Sequence, residues 1–118
     1  MEYNFEKLEV YQLGMELVKQ IYLLEKSYPV DEKFVLSSQL KRAATSVPMN
    51  IAEGSIMKTK REFKRYIRIA IGSLVEVMTN LKIAVQQGYI TQKELDSLTI
   101  TEKLFFKLIK LEKVLSDK

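Results

Sequence analysis

Apolar residues recur every three or four positions along almost the whole 118-residue chain, and each run is bounded by recognisable helix punctuation. A period of 3.6 gathers those residues on one side of a rod, and the strict alternation of a half-buried strand finds no support. The chain is therefore expected to be all-α. A first helix is predicted over about Glu6 to Ser27, with Leu8, Tyr11, Met15, Val18 and Tyr22 on one stripe and Leu17, Ile21 and Leu24 beside it. Tyr28-Pro29 ends it, because a residue before proline is disfavoured in the helical region and proline has no amide hydrogen to donate. Asp31 is the expected cap of a second helix that runs to about Ile56 with Pro48 inside it. Pro48 removes the bond to the carbonyl of Ala44, so the chain is expected to kink at Ala44-Thr45-Ser46 or to divide there into two short helices.

Thr59-Lys60-Arg61-Glu62 and Thr91-Gln92-Lys93-Glu94 both have the form of a capping box, in which hydroxyl and carboxylate each satisfy a free amide of the first turn. The third helix carries Phe63, Ile67, Ala70, Leu74, Val77, Leu81 and Ala84 on one side and ends near Gln87, where Gly88 can take the left-handed conformation. The fourth carries Leu95, Leu98, Phe105, Leu108, Ile109 and Leu115, up to a polar tail of Ser116-Asp117-Lys118. Short connections between long helices favour antiparallel neighbours, and a chain of this length supplies one core. The expectation is an antiparallel up-down-up-down four-helix bundle, a single domain over 1–118.

Composition bears on function mainly by what it removes. The chain has no Cys, so disulfides, thiolate nucleophiles and zinc-thiolate sites are excluded, and it has no His, so the commonest general base near neutral pH and the commonest transition-metal ligand are excluded too. With those groups missing, the reading is that the protein is not an enzyme and uses no metal and no cofactor. The start, Met1-Glu2-Tyr3-Asn4, lacks a basic segment followed by an apolar run, and no stretch of about 20 consecutive apolar residues stands out as a span. The expected location is cytoplasmic, with no membrane partner.

Charge is distributed unevenly. Lys58, Lys60, Arg61, Lys64, Arg65 and Arg68 stand against the single acid Glu62, so this window carries +5, whereas the whole chain carries +4 and the remainder sums to −1. Arg61, Lys64, Arg65 and Arg68 follow an i, i+3, i+4, i+7 pattern and form a basic ridge opposite the stripe through Phe63, Ile67 and Ala70. Such a ridge can neutralise phosphates of RNA or DNA, with Tyr66 on its flank able to stack on an unpaired base. Its other use is a solvated face whose cations pair with acids of a neighbouring helix. Cations at a helix start oppose the macrodipole, so they gain nothing locally by standing there.

Small and polar residues form two further patches. The stretch from Arg42 to Gly54 combines small residues with Arg42, Asn50 and Glu53 at spacings that can share one side of the second helix, and Ala70, Gly72, Ser73 and Glu76 form a comparable patch on the third. Gly72 inside a helix suggests close approach by another group, and a partly buried network of Arg42 with Glu53 or Glu76 is expected to set helix register. Apolar residues also exceed one stripe per helix: Val10, Leu13 and Leu23 in the first, and Ile69, Ile71, Val75, Met78 and Val85 in the third. A cyclic homo-oligomer is one way to cover them; broad inner faces of a compact monomer are another.

Taken with Phe5-Glu6-Lys7-Leu8-Glu9-Val10-Tyr11 and Gln39-Leu40-Lys41-Arg42-Ala43-Ala44-Thr45-Ser46-Val47, the pair Asn50-Ile51-Ala52-Glu53-Gly54 and Ala70-Ile71-Gly72-Ser73 with Glu76 resembles a known family. It is the four-helix-bundle family encoded in intervening sequences of bacterial large-subunit ribosomal RNA genes. The resemblance covers nearly the whole chain. It implies an up-down bundle whose copies assemble into a ring-shaped homopentamer, with Arg42, Asn50, Glu53, Gly54, Gly72, Ser73 and Glu76 as structural motif residues. A similar fold in the accessory variability determinant of diversity-generating retroelements, a basic protein that binds a reverse transcriptase and nucleic acid, implies a nucleic acid or a neighbouring gene product as partner. The expected function is a non-enzymatic, self-assembling bundle that binds RNA or DNA through the ridge. The alternative is a protein-interaction scaffold or accessory subunit without nucleic-acid binding.

Overall fold

The computed structural model describes residues 3–116, so Met1, Glu2, Asp117 and Lys118, including the end of the polar tail, lie outside the described residues. These residues form four long helices and one short one, with no strand among them: α1 (Glu9–Glu25), α2 (Leu36–Ser55), α3 (Lys60–Gln86), α4 (Gln92–Ser97) and α5 (Ile100–Ser116), plus 3-10 turns at Asn4–Lys7 and Val30–Glu32. Pairs α1 and α2, α2 and α3, α3 and α5, and α1 and α5 touch, with α2 and α3 sharing the largest contact. At 27 residues, α3 is roughly 40 Å long and spans most of the 46 Å longest dimension.

The core forms where the inward stripes meet. Leu17 and Ile21 of α1, Leu40, Val47 and Ile51 of α2, Ile67, Leu74, Val77 and Leu81 of α3, and Leu104 and Leu108 of α5 are fully buried in one cluster. Each such side chain contributes roughly 1.5–3 kcal/mol of burial, which is why the helical period survives as tertiary structure. The contacts of α2 with α3 and with α1 run in opposite sequence order. Leu36 meets Asn80, Ser46 meets Ser73 and Gly54 meets Phe63, while Glu25 pairs with Lys41 and Gly14 lies against Pro48.

Several expectations need correction. The chain from Asn4 to Lys7 is a 3-10 turn, and an extended Leu8 (ψ 130) separates it from α1, so the first helix starts at Glu9 rather than Glu6. The buried stripe of α1 is Val10, Gly14, Leu17 and Ile21; Met15 and Tyr22 lie outside it because α2 and α5 close over the neighbouring side of the rod. Asp31 does not cap α2. The turn at Val30–Glu32 absorbs it, α2 starts at Leu36 with Val35 before it, and Glu32 Oε1 accepts the Leu36 amide at 3.4 Å.

α2 passes through Pro48 without division, so the pair of short helices is excluded. The last segment does divide. The Thr91 box forms as expected, with the Thr91 amide donating to Glu94 Oε1 at 2.9 Å and the Glu94 amide to Thr91 Oγ1 at 3.0 Å. The helix nevertheless stops at Ser97, Leu98 leaves the helical region (ψ 72), and α5 begins at Ile100. Ser97, Thr99 and Thr101 are weak helix formers whose hydroxyls compete for backbone bonds. Ser97 Oγ donates to the Glu94 carbonyl and Thr101 Oγ1 to that of Leu98. At the end of α3, Gly88 takes φ 79, and the Tyr89 amide reaches back to the Ala84 carbonyl at 2.8 Å, satisfying the free carbonyls of the last turn. By length and composition α3 could cross a membrane. In the fold, its apolar stripe from Ile67 to Ala84 packs into the core.

Candidate nucleic-acid interface

Thr59 starts α3 by accepting the Glu62 amide on its hydroxyl at 3.1 Å, and this fixes the rotation of the first turns. With Ile67, Ala70 and Leu74 turned into the core, Arg61, Lys64, Arg65 and Arg68 must face outward. Together with Ile69 and Glu112 they line an open groove of about 560 Å³ between α3 and α5. Arg61, Arg65 and Arg68 are exposed, as are Lys58 and Lys60 beside the helix start, and Lys64 is half-buried.

Only part of this charge is neutralised from within. Arg68 donates from one guanidinium nitrogen to both oxygens of Glu112, at 3.1 Å each. The other ion pairs among the described residues, Lys41 with Glu25 and Lys107 with Glu9, lie away from the ridge. Lys58, Lys60, Arg61, Lys64 and Arg65 have no acidic partner among the described residues. The Arg65 guanidinium lies 4.8 Å from the centre of the Tyr66 ring, and the Tyr66 Cβ packs on Gly54. Tyr66 is thus half-buried and covered by its own neighbour, which leaves it poorly presented for a base.

The motif residues separate into two groups. Asn50, Ser73 and Gly54 are packed. Asn50 Nδ2 donates to the Ser46 carbonyl at 2.8 Å and to Ser46 Oγ at 2.9 Å, and Ser46 Oγ shares a 2.8 Å bond with Ser73 Oγ across α2 and α3. Gly54 is buried where a Cβ would stand 2.7 Å from Tyr66 Cβ and 2.9 Å from Phe63 Cδ1. Arg42, Glu53, Glu76 and Gly72, by contrast, are exposed, and the three charged residues form no ion pair among the described residues. The expected Arg42–Glu network is therefore absent from the described residues: neutral side chains join the helices while the charges stay hydrated, avoiding a desolvation cost. Gly72 has nothing within 4 Å of a would-be Cβ, so no close approach within the chain explains it.

Ser46 is the link that the sequence reading did not single out; a hydroxyl one turn before Asn50 on the α3 side was its signal. Asn80 was also missed. It is buried, accepts from the Tyr28 hydroxyl at 2.8 Å and donates to the Leu36 carbonyl at 3.0 Å. An amide beside the apolar inner stripe of Leu74, Val77, Leu81 and Ala84 was its signal. Among the described residues, no three acidic side chains come together to hold a cation.

Residues 6–110 match the family model described as 23S rRNA-intervening sequence protein. The crystal structure of a protein of unknown function from the S23 ribosomal protein family of Bacteroides thetaiotaomicron VPI-5482 is similar, with a TM-score of 0.80 and 27% identity over 88% of this chain and 98% of that one. No curated protein sequence matches. Neither description carries a catalytic activity. The family match spans most of the chain, and the bundle that carries the ridge has a close counterpart in that crystal structure; this chain belongs to the 23S rRNA-intervening sequence protein family.

Proposed function

We propose that this protein is a non-enzymatic, self-assembling helical bundle that binds RNA or DNA through the basic ridge of α3. The observation that carries this reading is the ridge itself: Arg61, Lys64 and Arg65 border an open groove without an acidic partner among the described residues, and only Arg68 is paired. Cations that oppose the helix dipole and find no acidic neighbour among the described residues are best accounted for by an external polyanion. Lys58 and Lys60 extend the same positive strip.

The molecule is a single-domain, up-down-up-down bundle in this reading, supported by its one core cluster and the opposed order of its helix contacts. α2 kinks near Pro48, where Thr45 Oγ1 bonds the carbonyls of Lys41 and Arg42 and helps bend the rod. The protein works in the cytoplasm as a homopentamer, the number the family resemblance implies. Exposed Ile69, Val75 and Ile83 on α3 support assembly, since a partner would cover them. A ring collects several ridges into one multivalent surface, so avidity exceeds what one ridge supplies.

A gel-shift series with short single-stranded RNA and DNA tests this. Binding is expected at low salt and should weaken with a log–log slope of about −0.7 per neutralised phosphate. Reversing Arg61, Lys64, Arg65 and Arg68 to Glu should abolish it while the helical circular dichroism persists. No shift of either nucleic acid at low salt would sink the reading. In that case the second reading gains: a scaffold or accessory subunit for a neighbouring gene product such as a reverse transcriptase, which the strongly exposed Val30 and Phe34 between α1 and α2 favour.

A further inference from the structure

The backbones of α1 and α3 do not run side by side; each packs beside α2 and α5, at opposite corners of the molecule, so the outward sides of both can be engaged at once. The outward side of α3 carries Ile69, Gly72, Val75 and Glu76, and a Cβ on Gly72 would meet nothing within 4 Å. A glycine in mid-helix weakens the helix, and nothing inside the molecule compensates at this site. The outward side of α1 carries the complementary set. Met15 and Tyr22 are 49% and 42% exposed, and Lys19 stands exposed between them.

The two sides also match in height. Gly14 lies against Pro48, with a would-be Cβ 3.2 Å from Pro48 Cβ, and Ser46, half a turn away on α2, bonds Ser73 at 2.8 Å. With α1 and α3 both running opposite to α2, Gly14 stands level with Ile71. One residue on, Met15 is level with Gly72, and one turn further Lys19 is level with Glu76. Neither Lys19 nor Glu76 forms an ion pair among the described residues.

We infer that a second copy of this chain docks α1 against α3, with Met15 entering the hollow over Gly72 and Lys19 meeting Glu76. The inference rests on the self-assembly proposed above and names its contact. Two different corners meet, so the contact is heterologous; it repeats from copy to copy and closes into a ring where the rotation allows. Gly72 then serves the partner's side chain, and the family motif's glycine and glutamate on α3 become assembly residues rather than parts of a monomer's core.

Light scattering on the full chain at tens of micromolar, with circular dichroism melts to verify folding, tests the contact. Gly72→Gln adds a helix-favouring side chain in open space, so the fold should persist. It should raise the concentration at half-assembly by about tenfold or more, the effect of losing one well-packed contact. Lys19→Glu and Glu76→Lys should each weaken assembly, and the double variant should regain much of it. If the unaltered protein assembles and every variant keeps its mass, the α1–α3 contact is wrong and self-assembly stands. If the unaltered protein scatters as a single 13.7 kDa chain, both fall together.

Discussion

Two glycines of the same sequence motif sit in opposite circumstances, and they should respond to the same substitution with opposite signs. At Gly54 an added methyl would meet Tyr66 Cβ at 2.7 Å and the Phe63 ring at 2.9 Å, where the crowding atoms belong to packed aromatic side chains of α3. Gly54→Ala is expected to lower stability by about 1–2 kcal/mol, the overpacking cost outweighing the better helix propensity of alanine. At Gly72 the methyl meets nothing, and Gly72→Ala should raise stability by up to about 1 kcal/mol. Urea midpoints followed by circular dichroism, at a protein concentration low enough that every variant is monomeric and assembly contributes nothing, check both. Equal effects at the two positions would mean that the environments of the two glycines are not as described.

At the scale of elements, the connection from α1 to α2 is a 3-10 turn and a few irregular residues, and no side chain caps the start of α2. It is secured from outside. The Tyr28 hydroxyl donates to Asn80 on α3, Asn80 donates to the Leu36 carbonyl at the start of α2, and Tyr89 donates to Glu32 Oε2 at 2.8 Å. Three elements therefore depend on one buried amide. Tyr28→Phe would leave Asn80 Oδ1 without its donor in a buried position and should cost about 1–3 kcal/mol. Urea unfolding measures the loss, and faster amide exchange around Val35 and Leu36 would locate it. A neutral result would mean that water replaces the hydroxyl.

Over the whole molecule, pH should leave stability nearly flat around neutrality, because the chain has no histidine to titrate there. At the alkaline end, burial away from water, helped by the nearby Glu25 and Glu32, pushes the Tyr28 hydroxyl far above its ordinary value, and the hydrogen bond to Glu32 raises Tyr89. Groups raised on folding stabilise the native state fully below their unfolded value and lose that contribution as pH rises. The decline should begin near the ordinary tyrosine value of about 10. For Tyr28 it approaches about 1.4 kcal/mol per pH unit. At the acid end, the Lys107 ammonium, through its hydrogen bond and charge, lowers the Glu9 carboxyl, so that contribution is present above the ordinary glutamate range and lost as pH falls below it. Thermal melts across pH test the profile; a stability maximum displaced to strongly alkaline pH would contradict it.

Periodicity and punctuation were enough to reveal the all-α class, the inner stripe of α3, the Thr91 capping box and the left-handed Gly88, since each depends on neighbours within a turn or two. The basic ridge was legible for the same reason: once Ile67 and Leu74 point inward, helical geometry alone turns Arg61 and Arg65 outward. What lay beyond the sequence depends on contacts between distant segments. Which of two adjacent stripes of α1 is buried was decided by the packing of α2 and α5, and Asp31 lost its capping role to a turn that tertiary contacts hold in place. Likewise, that Arg42, Glu53 and Glu76 stay in water while Ser46, Asn50 and Ser73 join the helices follows from the rotation of α2 against α3. A local pattern states which residues share a face, whereas only packing among all the helices decides what that face meets.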